Sequence, residues 1–331
     1  MSRPVFHLHI ENLSAQAPVF HVTPQRVATA AVESGVDMAE LSVTYGWDGD
    51  ILERAMTTAN CLMGWRFPRH DLAARAPGLR WIHVTGAGIE HLLPMDWVPS
   101  GVTLTNNSGV HARKAGEYIA MAILALNANI PHFATCKAAR SWDRRFASCI
   151  AGKTVVIVGT GNMGASGARR CKGLEMQVVG VNSTGRPVDG FDMVWAVDAL
   201  DEVLGLADFL VVALPLTDKT RHMIGVRQLD RLPRHCGLVN IGRAAVIDYG
   251  RLFERLSIGA IAGAILDVFD EEPIPAASPI WNVPNLIITP HVSSDDTERY
   301  AIDTAKLFFD NYKRFKEDRA LVNQVDPARQ Y

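Results

Sequence analysis

A glycine-rich turn near the middle of the chain constrains its fold more than any other feature. The β-branched residues 155–158 lead directly into this turn, and a helix-compatible segment follows at 165–174. In such a strand–turn–helix unit, glycines permit a tight turn and let the backbone approach a pyrophosphate, which the helix N-terminus attracts. The pattern therefore favours dinucleotide binding over an ordinary turn without a ligand. The expected phosphate-binding residues are Gly159, Gly161, Asn162, Met163 and Gly164.

The position of the turn leaves room for a second folded unit in a chain of 331 residues. Strand-like segments alternate with helix-like ones before residue 109, which predicts a small parallel sheet covered by helices. We expect strands there at 5–10, 38–45, 79–84 and 102–105, and a helix at 50–59. A long apolar-faced helix is expected at 113–128.

The alternation restarts at Gly152 and predicts a doubly wound α/β sheet of about six strands. These strands are expected at 154–158, 177–181, 209–213, 237–240, 263–266 and 286–288. A last helix at 296–315 lies beyond them, so we expect it to return to the first domain. The predicted organisation is a dinucleotide-binding domain at 109–294, inserted into a substrate-binding domain made of 1–108 and 295–331.

Composition excludes several classes of partner. Apolar residues make up 48% of the chain and charged residues 21%, and the net charge of −2 predicts neither nucleic-acid nor membrane binding. The longest apolar stretch, 118–126, is too short to span a bilayer, and no secretory signal is evident at the N-terminus. The five cysteines are scattered without C-x-x-C spacing, which favours a reducing, cytoplasmic compartment and argues against a metal site.

Three later segments place chemically active side chains just past expected strands. Arg243 follows the strand at 237–240, Glu272 lies in the acidic turn after 263–266, and His291 follows the strand at 286–288. Because ligands of open α/β sheets bind outside the carboxyl ends of the strands, we expect these three side chains to converge on the cofactor. Taken singly, Arg243 could be a helix cap, Glu272 a solvated charge and His291 a packing residue.

The motifs together resemble the D-isomer-specific 2-hydroxyacid dehydrogenase family over nearly the whole chain. They are the glycine turn, Leu214-Pro215-Leu216-Thr217-x-x-Thr220, the Asn240-x-x-Arg243 segment, Asp267-Val-Phe-x-x-Glu272-Pro273 and Thr289-Pro290-His291, in the family's order. The resemblance implies an α/β fold with two Rossmann-like domains, of which the substrate-binding one is flavodoxin-like. It also implies a homodimer, with the helix at 113–128 in the interface.

The resemblance further implies roles for individual residues. Asp267 is expected near the nicotinamide carboxamide, and the backbone of Ala87 and Gly88 is expected to hold the substrate carboxylate. Further cofactor contacts are expected at Leu214, Pro215, Thr220 and Ile241. Asp267 could instead cap the turn that follows it, and the segment at 214–216 could be a plain loop.

The chemistry of reducing a 2-keto acid suits the three side chains. The planar guanidinium of Arg243 can bind the carboxylate and the keto oxygen, and it stabilises the charge that develops on that oxygen. His291 is the expected general acid for reduction, and Glu272 is expected to accept a hydrogen bond from its other ring nitrogen.

The end of the second strand bears on the choice of cofactor. An NAD site usually has a carboxylate there for the ribose 2′-hydroxyl, but this chain has Asn182, followed by Ser183, Thr184 and Arg186. Hydroxyls and a guanidinium suit a 2′-phosphate, so we expect NADPH to be preferred, with NADH possible. In the alternative, Arg186 points to solvent and Asn182 serves NAD.

The leading interpretation is therefore an NAD(P)H-dependent reductase of small 2-keto acids of the glyoxylate or hydroxypyruvate type. A phosphoglycerate- or phosphite-type dehydrogenase on the same site is an alternative. A non-catalytic dinucleotide-sensing protein, similar to the transcriptional corepressors, is a third.

Overall fold

The computed structural model describes residues 6–326. The chain forms two α/β units, each built on a sheet of parallel strands. One unit comprises the described residues of Met1–His111 and Asp296–Tyr331, and the other is Ala112–Asp295, so the second is inserted in the first along the chain. The strands are β1 (Phe6–Asn12), β2 (Leu41–Trp47), β3 (Cys61–Gly64), β4 (Trp81–Val84), β5 (Thr103–Thr105), β6 (Thr154–Val158), β7 (Gln177–Asn182), β8 (Met193–Ala196), β9 (Phe209–Val212), β10 (Gly237–Asn240), β11 (Gly263–Leu266) and β12 (Leu286–Ile288). The helices are α1 (Pro24–Ser34), α2 (Leu52–Met56), α3 (Leu72–Arg75), α4 (Ala112–Asn127), α5 (Ile130–Ala138), α6 (Asn162–Gly173), α7 (Leu200–Leu204), α8 (Val226–Arg231), α9 (Tyr249–Ser257) and α10 (Tyr300–Lys316).

The first unit has the flavodoxin-like strand order β2-β1-β3-β4-β5. Helix α1 begins where Thr23 caps the amide of Arg26, and it ends at Gly35, whose φ of +62° suits glycine. Helices α1 and α10 pack on one face of this sheet. There the Trp81 ring stacks on Phe308 with centroids 4.8 Å apart.

The second unit has the order β12-β11-β10-β9-β6-β7-β8, which is the Rossmann order with one strand added beyond the sixth. Its central strands are continuous β-branched and aliphatic runs because both faces are covered. The expectation of about six strands is wrong by one. The missed strand, β8, lies at the sheet edge and is only half-buried, so its residues lack a strong hydrophobic pattern.

Several expected bounds need correction. Strand β3 is absent from the prediction because its residues, Cys-Leu-Met-Gly, include no β-branched or aromatic side chain. Residues 38–40 form a turn of 3-10 helix, capped by Asp37, before β2 begins. The helix expected at 50–59 spans only α2, and helix α6 begins three residues earlier than expected, inside the glycine motif. Val5, the first residue of the expected strand at 5–10, lies outside the described residues, as do residues 327–331.

In the described part of the chain, only a bent helix pair reaches the length and hydrophobicity of a membrane span. Within residues 6–326, no single helix is long and apolar enough to cross a bilayer. Helices α4 and α5 have that length and composition together, and they meet at a 64° bend.

Candidate active site

The expected site residues of the second unit follow the carboxyl ends of its parallel strands. The glycine turn follows β6, Asn182 ends β7, and Leu214 lies just after β9. Arg243, Asp267 and His291 follow β10, β11 and β12. All seven strands run in one direction, so these residues share one edge of the sheet.

The glycine turn has a shape that fits a pyrophosphate. Gly159 has a φ of +103°, and a Cβ there would lie 2.5 Å from the carbonyl oxygen of Ala213. A Cβ at Gly164 would lie 1.9 Å from the carbonyl oxygen of Gly159, so both positions require glycine. By contrast, a Cβ at Gly161 would meet nothing within 4 Å, which leaves the open side of the turn clear. Gly161 is also the N-cap of helix α6, with no side chain capping that terminus. The turn therefore offers the clear backbone approach and the helix N-terminus that a dinucleotide needs.

The residues after β7 form a tight loop around the side chain of Asn182. Its amide nitrogen donates to Thr160 Oγ1 at 3.1 Å and to the carbonyl of Arg186 at 2.9 Å. Its amide oxygen accepts from the amides of Thr184 and Gly185, at 3.1 and 2.7 Å. Ser183, Thr184 and Arg186 are exposed on this loop.

The hydroxyl group of Thr220 closes the loop after β9 through hydrogen bonds within that loop. Thr220 Oγ1 donates to the carbonyl of Pro215 at 2.7 Å, and the amide of Thr217 donates to that same hydroxyl at 2.8 Å. Leu214 lies against the glycine turn, since a Cβ at Gly159 would be 3.0 Å from its side chain. Ile241 is buried in the hydrophobic core of the unit. The expected cofactor contacts at these positions stay predictions.

Glu272 and His291 form a hydrogen-bonded pair. Oε2 of Glu272 lies 2.8 Å from Nδ1 of His291, while Oε1 accepts the amide of Phe269 at 2.8 Å. The His291 side chain is 46% exposed, and Nε2 has no hydrogen-bond partner among residues 6–326. A carboxylate only accepts hydrogen bonds, so the contact places a hydrogen on Nδ1. The arrangement suits proton transfer through Nε2.

Asp267 fixes the backbone around His291. Its buried carboxylate accepts the amides of Val292 and Ser293, both at 3.0 Å, and the hydroxyl of Thr289 at 2.6 Å. His291 has a left-handed backbone, with a φ of +54°, which is unfavourable for a non-glycine residue. The hydrogen bonds on both sides of it offset this strain.

A buried tyrosine extends the same network. The hydroxyl oxygens of Tyr118 and Thr289 are 2.6 Å apart. Burial raises the pKa of Tyr118 to about 12, against an opposing effect of the Thr289 hydrogen bond. Because Thr289 donates to the carboxylate of Asp267, its oxygen accepts from Tyr118. The network therefore runs from helix α4 to the His291 segment.

Asn240 shapes the turn that carries Arg243. Its amide nitrogen donates to the carbonyl of Arg243 at 3.1 Å and to the hydroxyl of Tyr249 at 3.0 Å, and its oxygen accepts the amide of Gly242. Burial raises the pKa of Tyr249 above its ordinary value. The half-buried Arg243 donates from Nη1 to the carbonyl of Gly242 at 2.9 Å. The turn is thus rigid at the base of the guanidinium.

Ala87 and Gly88 lie in the other unit, in the turn after β4. The carbonyls of Thr85, Gly86 and Ala87 are held by hydrogen bonds from residues near β5 and α10. The amide of Asn107 donates to Gly86, the Asn106 side chain donates to Ala87 at 3.0 Å, and the Asn107 side chain and the Tyr300 hydroxyl donate to Thr85. The expected binding of the substrate carboxylate by the backbone of Ala87 and Gly88 stays a prediction.

Several residues that build these sites were not singled out from the sequence. Thr160 and Thr289 lie inside the glycine turn and the Thr-Pro-His motif, so proximity to a motif was an available signal. Asn106, Asn107 and Tyr118 carry no local signal, because their partners are distant in sequence.

One His/Cys/Asp group lies in helix α5 and the segment after it. The donor atoms of His132, Cys136 and Asp143 lie within 4.8 Å of one another. His132 Nε2 is 2.9 Å from Asp143 Oδ2 and 3.3 Å from Cys136 Sγ, and the Arg145 guanidinium lies 3.4 Å from the same carboxylate oxygen. These side chains contact one another, and the expected absence of a metal ion stays a prediction.

Comparisons with known proteins agree with this geometry. Residues 120–293 match the model of the D-isomer specific 2-hydroxyacid dehydrogenase NAD binding domain. The chain is 31% identical to a glyoxylate reductase of Korarchaeum cryptofilum, over 76% of this chain and 77% of that one. It is 30% identical to a D-3-phosphoglycerate dehydrogenase of Methanocaldococcus jannaschii over 79% of its length, and this match covers 51% of that protein.

A solved D-isomer specific 2-hydroxyacid dehydrogenase from Xanthobacter autotrophicus Py2, in complex with NADPH and MES, has a similar fold. The TM-score is 0.81 at 27% identity, with 98% of this chain and 99% of that chain covered. Fold and matches together define an NAD(P)-dependent oxidoreductase that acts on CH–OH donors. The chain belongs to the D-isomer-specific 2-hydroxyacid dehydrogenase family, which confirms the resemblance inferred from its motifs. Its substrates are accordingly small 2-hydroxy or 2-keto acids.

Proposed function

We propose that this chain is an NADPH-preferring reductase that converts glyoxylate, hydroxypyruvate or a similar small 2-keto acid to the D-2-hydroxy acid. The observation that carries the proposal is the hydrogen-bonded pair of Glu272 and His291, 2.8 Å apart at the sheet edge that also carries the glycine turn. An imidazole with one nitrogen held by a carboxylate and the other open is suited to general acid–base catalysis.

Each catalytic residue has a defined task. A nicotinamide cofactor held by the second unit would supply the hydride. His291 delivers a proton from Nε2 to the keto oxygen, and Glu272 holds the imidazole in place by accepting a hydrogen bond from Nδ1. Arg243 binds the substrate carboxylate and stabilises the negative charge that develops on the keto oxygen. Asp267 holds the His291 segment, which we expect to lie near the nicotinamide end of the cofactor.

The two units take separate tasks in this proposal. Residues 109–294 form the dinucleotide-binding domain, with contacts from the glycine turn, the loops after β7 and β9, and the backbone at Ile241. Residues 1–108 and 295–331 form the substrate-binding domain. There the amide groups of Ala87 and Gly88 bind the substrate carboxylate, since the neighbouring carbonyls are engaged elsewhere.

The preference for NADPH is supported by the residues after β7. There is no carboxylate at Asn182 to repel a 2′-phosphate, and the exposed Ser183, Thr184 and Arg186 suit that group. The Xanthobacter relative binds NADPH, in line with this preference.

We further propose a homodimer in which helix α4 contributes to the interface. Met121 and Leu124 on that helix are exposed, and Trp142 and Phe146, after helix α5, are 92% and 84% exposed. Apolar side chains of this size favour burial against a second copy. Ultracentrifugation tests this, because Leu124→Glu together with Trp142→Ser should give a monomer.

The free, largely buried cysteines are in keeping with a cytoplasmic location.

A substrate panel tests the proposed activity. NADPH oxidation is followed with glyoxylate, hydroxypyruvate and bulkier 2-keto acids, and reduction of NADP and NAD is followed with 3-phosphoglycerate and phosphite. We expect turnover with the small keto acids and a lower KM for NADPH than for NADH. The phosphoglycerate-dehydrogenase relative makes 3-phosphoglycerate the main rival substrate. Tight cofactor binding without turnover of any substrate would indicate a dinucleotide-sensing protein instead.

A further inference from the structure

We infer that Asn182 is a positioning residue rather than a cofactor contact, and that it sets the choice between NADPH and NADH by fixing the loop at 182–186 to Thr160 of the glycine turn. The inference rests on the proposed preference for NADPH. It replaces direct cofactor binding by Asn182 with an indirect role.

The hydrogen-bonding capacity of the Asn182 side chain is already used within the protein. A primary amide has two N–H donors and one oxygen with two lone pairs. The two donors bond Thr160 Oγ1 and the Arg186 carbonyl, and the oxygen accepts the amides of Thr184 and Gly185. All four groups are satisfied, so no donor or acceptor is left for a ribose hydroxyl.

An aspartate could not take the place of Asn182 in this loop. Its carboxylate could still accept from the amides of Thr184 and Gly185. The Thr160 hydroxyl can turn to donate to the carboxylate, but a carboxylate has no hydrogen to give to the Arg186 carbonyl, which lies 2.9 Å from the present amide nitrogen. A carboxylate oxygen facing that carbonyl is repelled, so the side chain that serves NAD is incompatible with this loop conformation.

The loop is also restricted at Gly185 and Thr160. Gly185 has a φ of +71°, and a Cβ there would lie 3.0 Å from the backbone nitrogen of Ala196. The methyl group of Thr160 lies over Gly180, where an added Cβ would be only 2.8 Å from it. The hydroxyl of Thr160 is therefore fixed toward Asn182. The hydrogen bond between them links the glycine turn to the loop after β7.

The consequence is a preformed site for an anion beside the second strand. The exposed Arg186 guanidinium has no hydrogen-bond or ion-pair partner among residues 6–326, and the hydroxyls of Ser183 and Thr184 are exposed beside it. Fixing the backbone of these three residues lowers the entropic cost of gathering them around a 2′-phosphate. Losing the Asn182 contacts should weaken binding of that phosphate more than binding of the rest of the cofactor.

The experiment measures binding without turnover, by calorimetry, with two fragments that differ only in the 2′-phosphate: 2′,5′-ADP and 5′-AMP. NADPH and NADH are measured in parallel. The variants are Asn182→Asp, Thr160→Val and Thr160→Ser, and the matched control is Asp189→Asn, an exposed carboxylate close to the loop.

We expect Asn182→Asp to reduce the 2′,5′-ADP over 5′-AMP affinity ratio about tenfold or more, because the hydrogen bond to the Arg186 carbonyl is lost and a negative charge is added. Thr160→Val should reduce this ratio severalfold. Thr160→Ser keeps the hydroxyl but loses the methyl group that orients it, so it should reduce the ratio less than Thr160→Val does. Asp189→Asn should match the wild type. Unchanged ratios in Asn182→Asp and Thr160→Val would overturn the inference, as would an equal loss of both fragments. Equal binding of the two fragments by the wild type would instead overturn the NADPH preference, and with it this inference. Circular dichroism of each variant shows whether its fold is retained.

Discussion

Oε2 of Glu272 lies 2.8 Å from Nδ1 of His291, although 19 positions separate the two residues in the chain. The acidic turn after β11 and the end of β12 are neighbours because those two strands pair in parallel register. One carboxylate oxygen of Glu272 therefore contacts the imidazole, while the other accepts a hydrogen bond from the amide of Phe269. This pairing is the basis of the predictions for catalysis.

Replacing His291 by alanine removes the proposed proton donor. We expect kcat to fall about 10²- to 10⁴-fold, with little change in NADPH affinity. Steady-state kinetics and NADPH fluorescence titration measure the two effects. The exposed His235 in the same unit provides the control, since His235→Ala should retain kcat. A loss of NADPH affinity equal to the loss of kcat would contradict the assigned role.

Replacing Glu272 by glutamine keeps the size of the side chain but removes its charge. The single oxygen of glutamine can accept a hydrogen bond from the Phe269 amide or from Nδ1 of His291, but not from both. The NH₂ group of glutamine then faces the partner that is left. We therefore expect kcat to fall about 10- to 100-fold. The neighbouring Glu271 is exposed, so Glu271→Gln should behave like the wild type. Equal kinetics of the two variants would rule out a special role for Glu272.

Replacing Arg243 by lysine keeps a positive charge but removes the planar fork. We expect KM for the keto acid to rise and kcat to fall, with kcat/KM about 10²- to 10³-fold lower. Arg231→Lys on the exposed end of helix α8 is the control. Wild-type kcat/KM in Arg243→Lys would show that a point charge is sufficient there.

Replacing Asp267 by asparagine puts an NH₂ group, which donates hydrogen bonds, where one carboxylate oxygen now accepts one. Either Val292 or Ser293 then loses its partner, and the strained backbone at His291 loses support. We expect the free energy of unfolding to fall by roughly 1–3 kcal/mol and kcat to fall with it. Urea unfolding and kinetics measure both, with Asp270→Asn, on an exposed carboxylate, as the comparison. Full stability together with wild-type kcat would contradict the positioning role of Asp267.

Acid should destabilise the protein partly through His83. Burial lowers the pKa of His83 from 6.5 to about 4, with Asn107 acting in the opposite direction. The unfolded chain therefore takes up the proton at higher pH than the folded chain does. The contribution of neutral His83 is complete above pH 6.5 and is lost as the pH falls toward 4, an effect of roughly 3 kcal/mol.

Urea unfolding at several pH values tests this contribution. His83→Phe keeps a ring in the core without a titratable group, so it should lose less stability between pH 7 and pH 4 than the wild type loses. His70→Gln, on an exposed histidine, should follow the wild type. Parallel pH profiles for wild type and His83→Phe would show that His83 does not contribute.

The sequence by itself determined the class of fold and the positions of the reactive side chains. Continuous β-branched runs such as β6, and the glycine turn after it, are local patterns whose geometry follows from the residues themselves. The positions of Arg243, Glu272 and His291 just after their strands can likewise be predicted from the sequence. Two strands with weak patterns could not be predicted in this way: β3 has no β-branched or aromatic residue, and β8 is a half-buried edge strand.

Only the tertiary structure decided how these side chains are held. The two oxygens of Asp267 accept from residues more than twenty positions away, and Asn182 bonds Thr160 across two adjacent strands. Such contacts depend on which strands pair and in which register, and a local sequence pattern does not specify them. The physical reason is that residue type sets which hydrogen bonds a side chain can make, whereas the packing of distant segments sets which of them it does make.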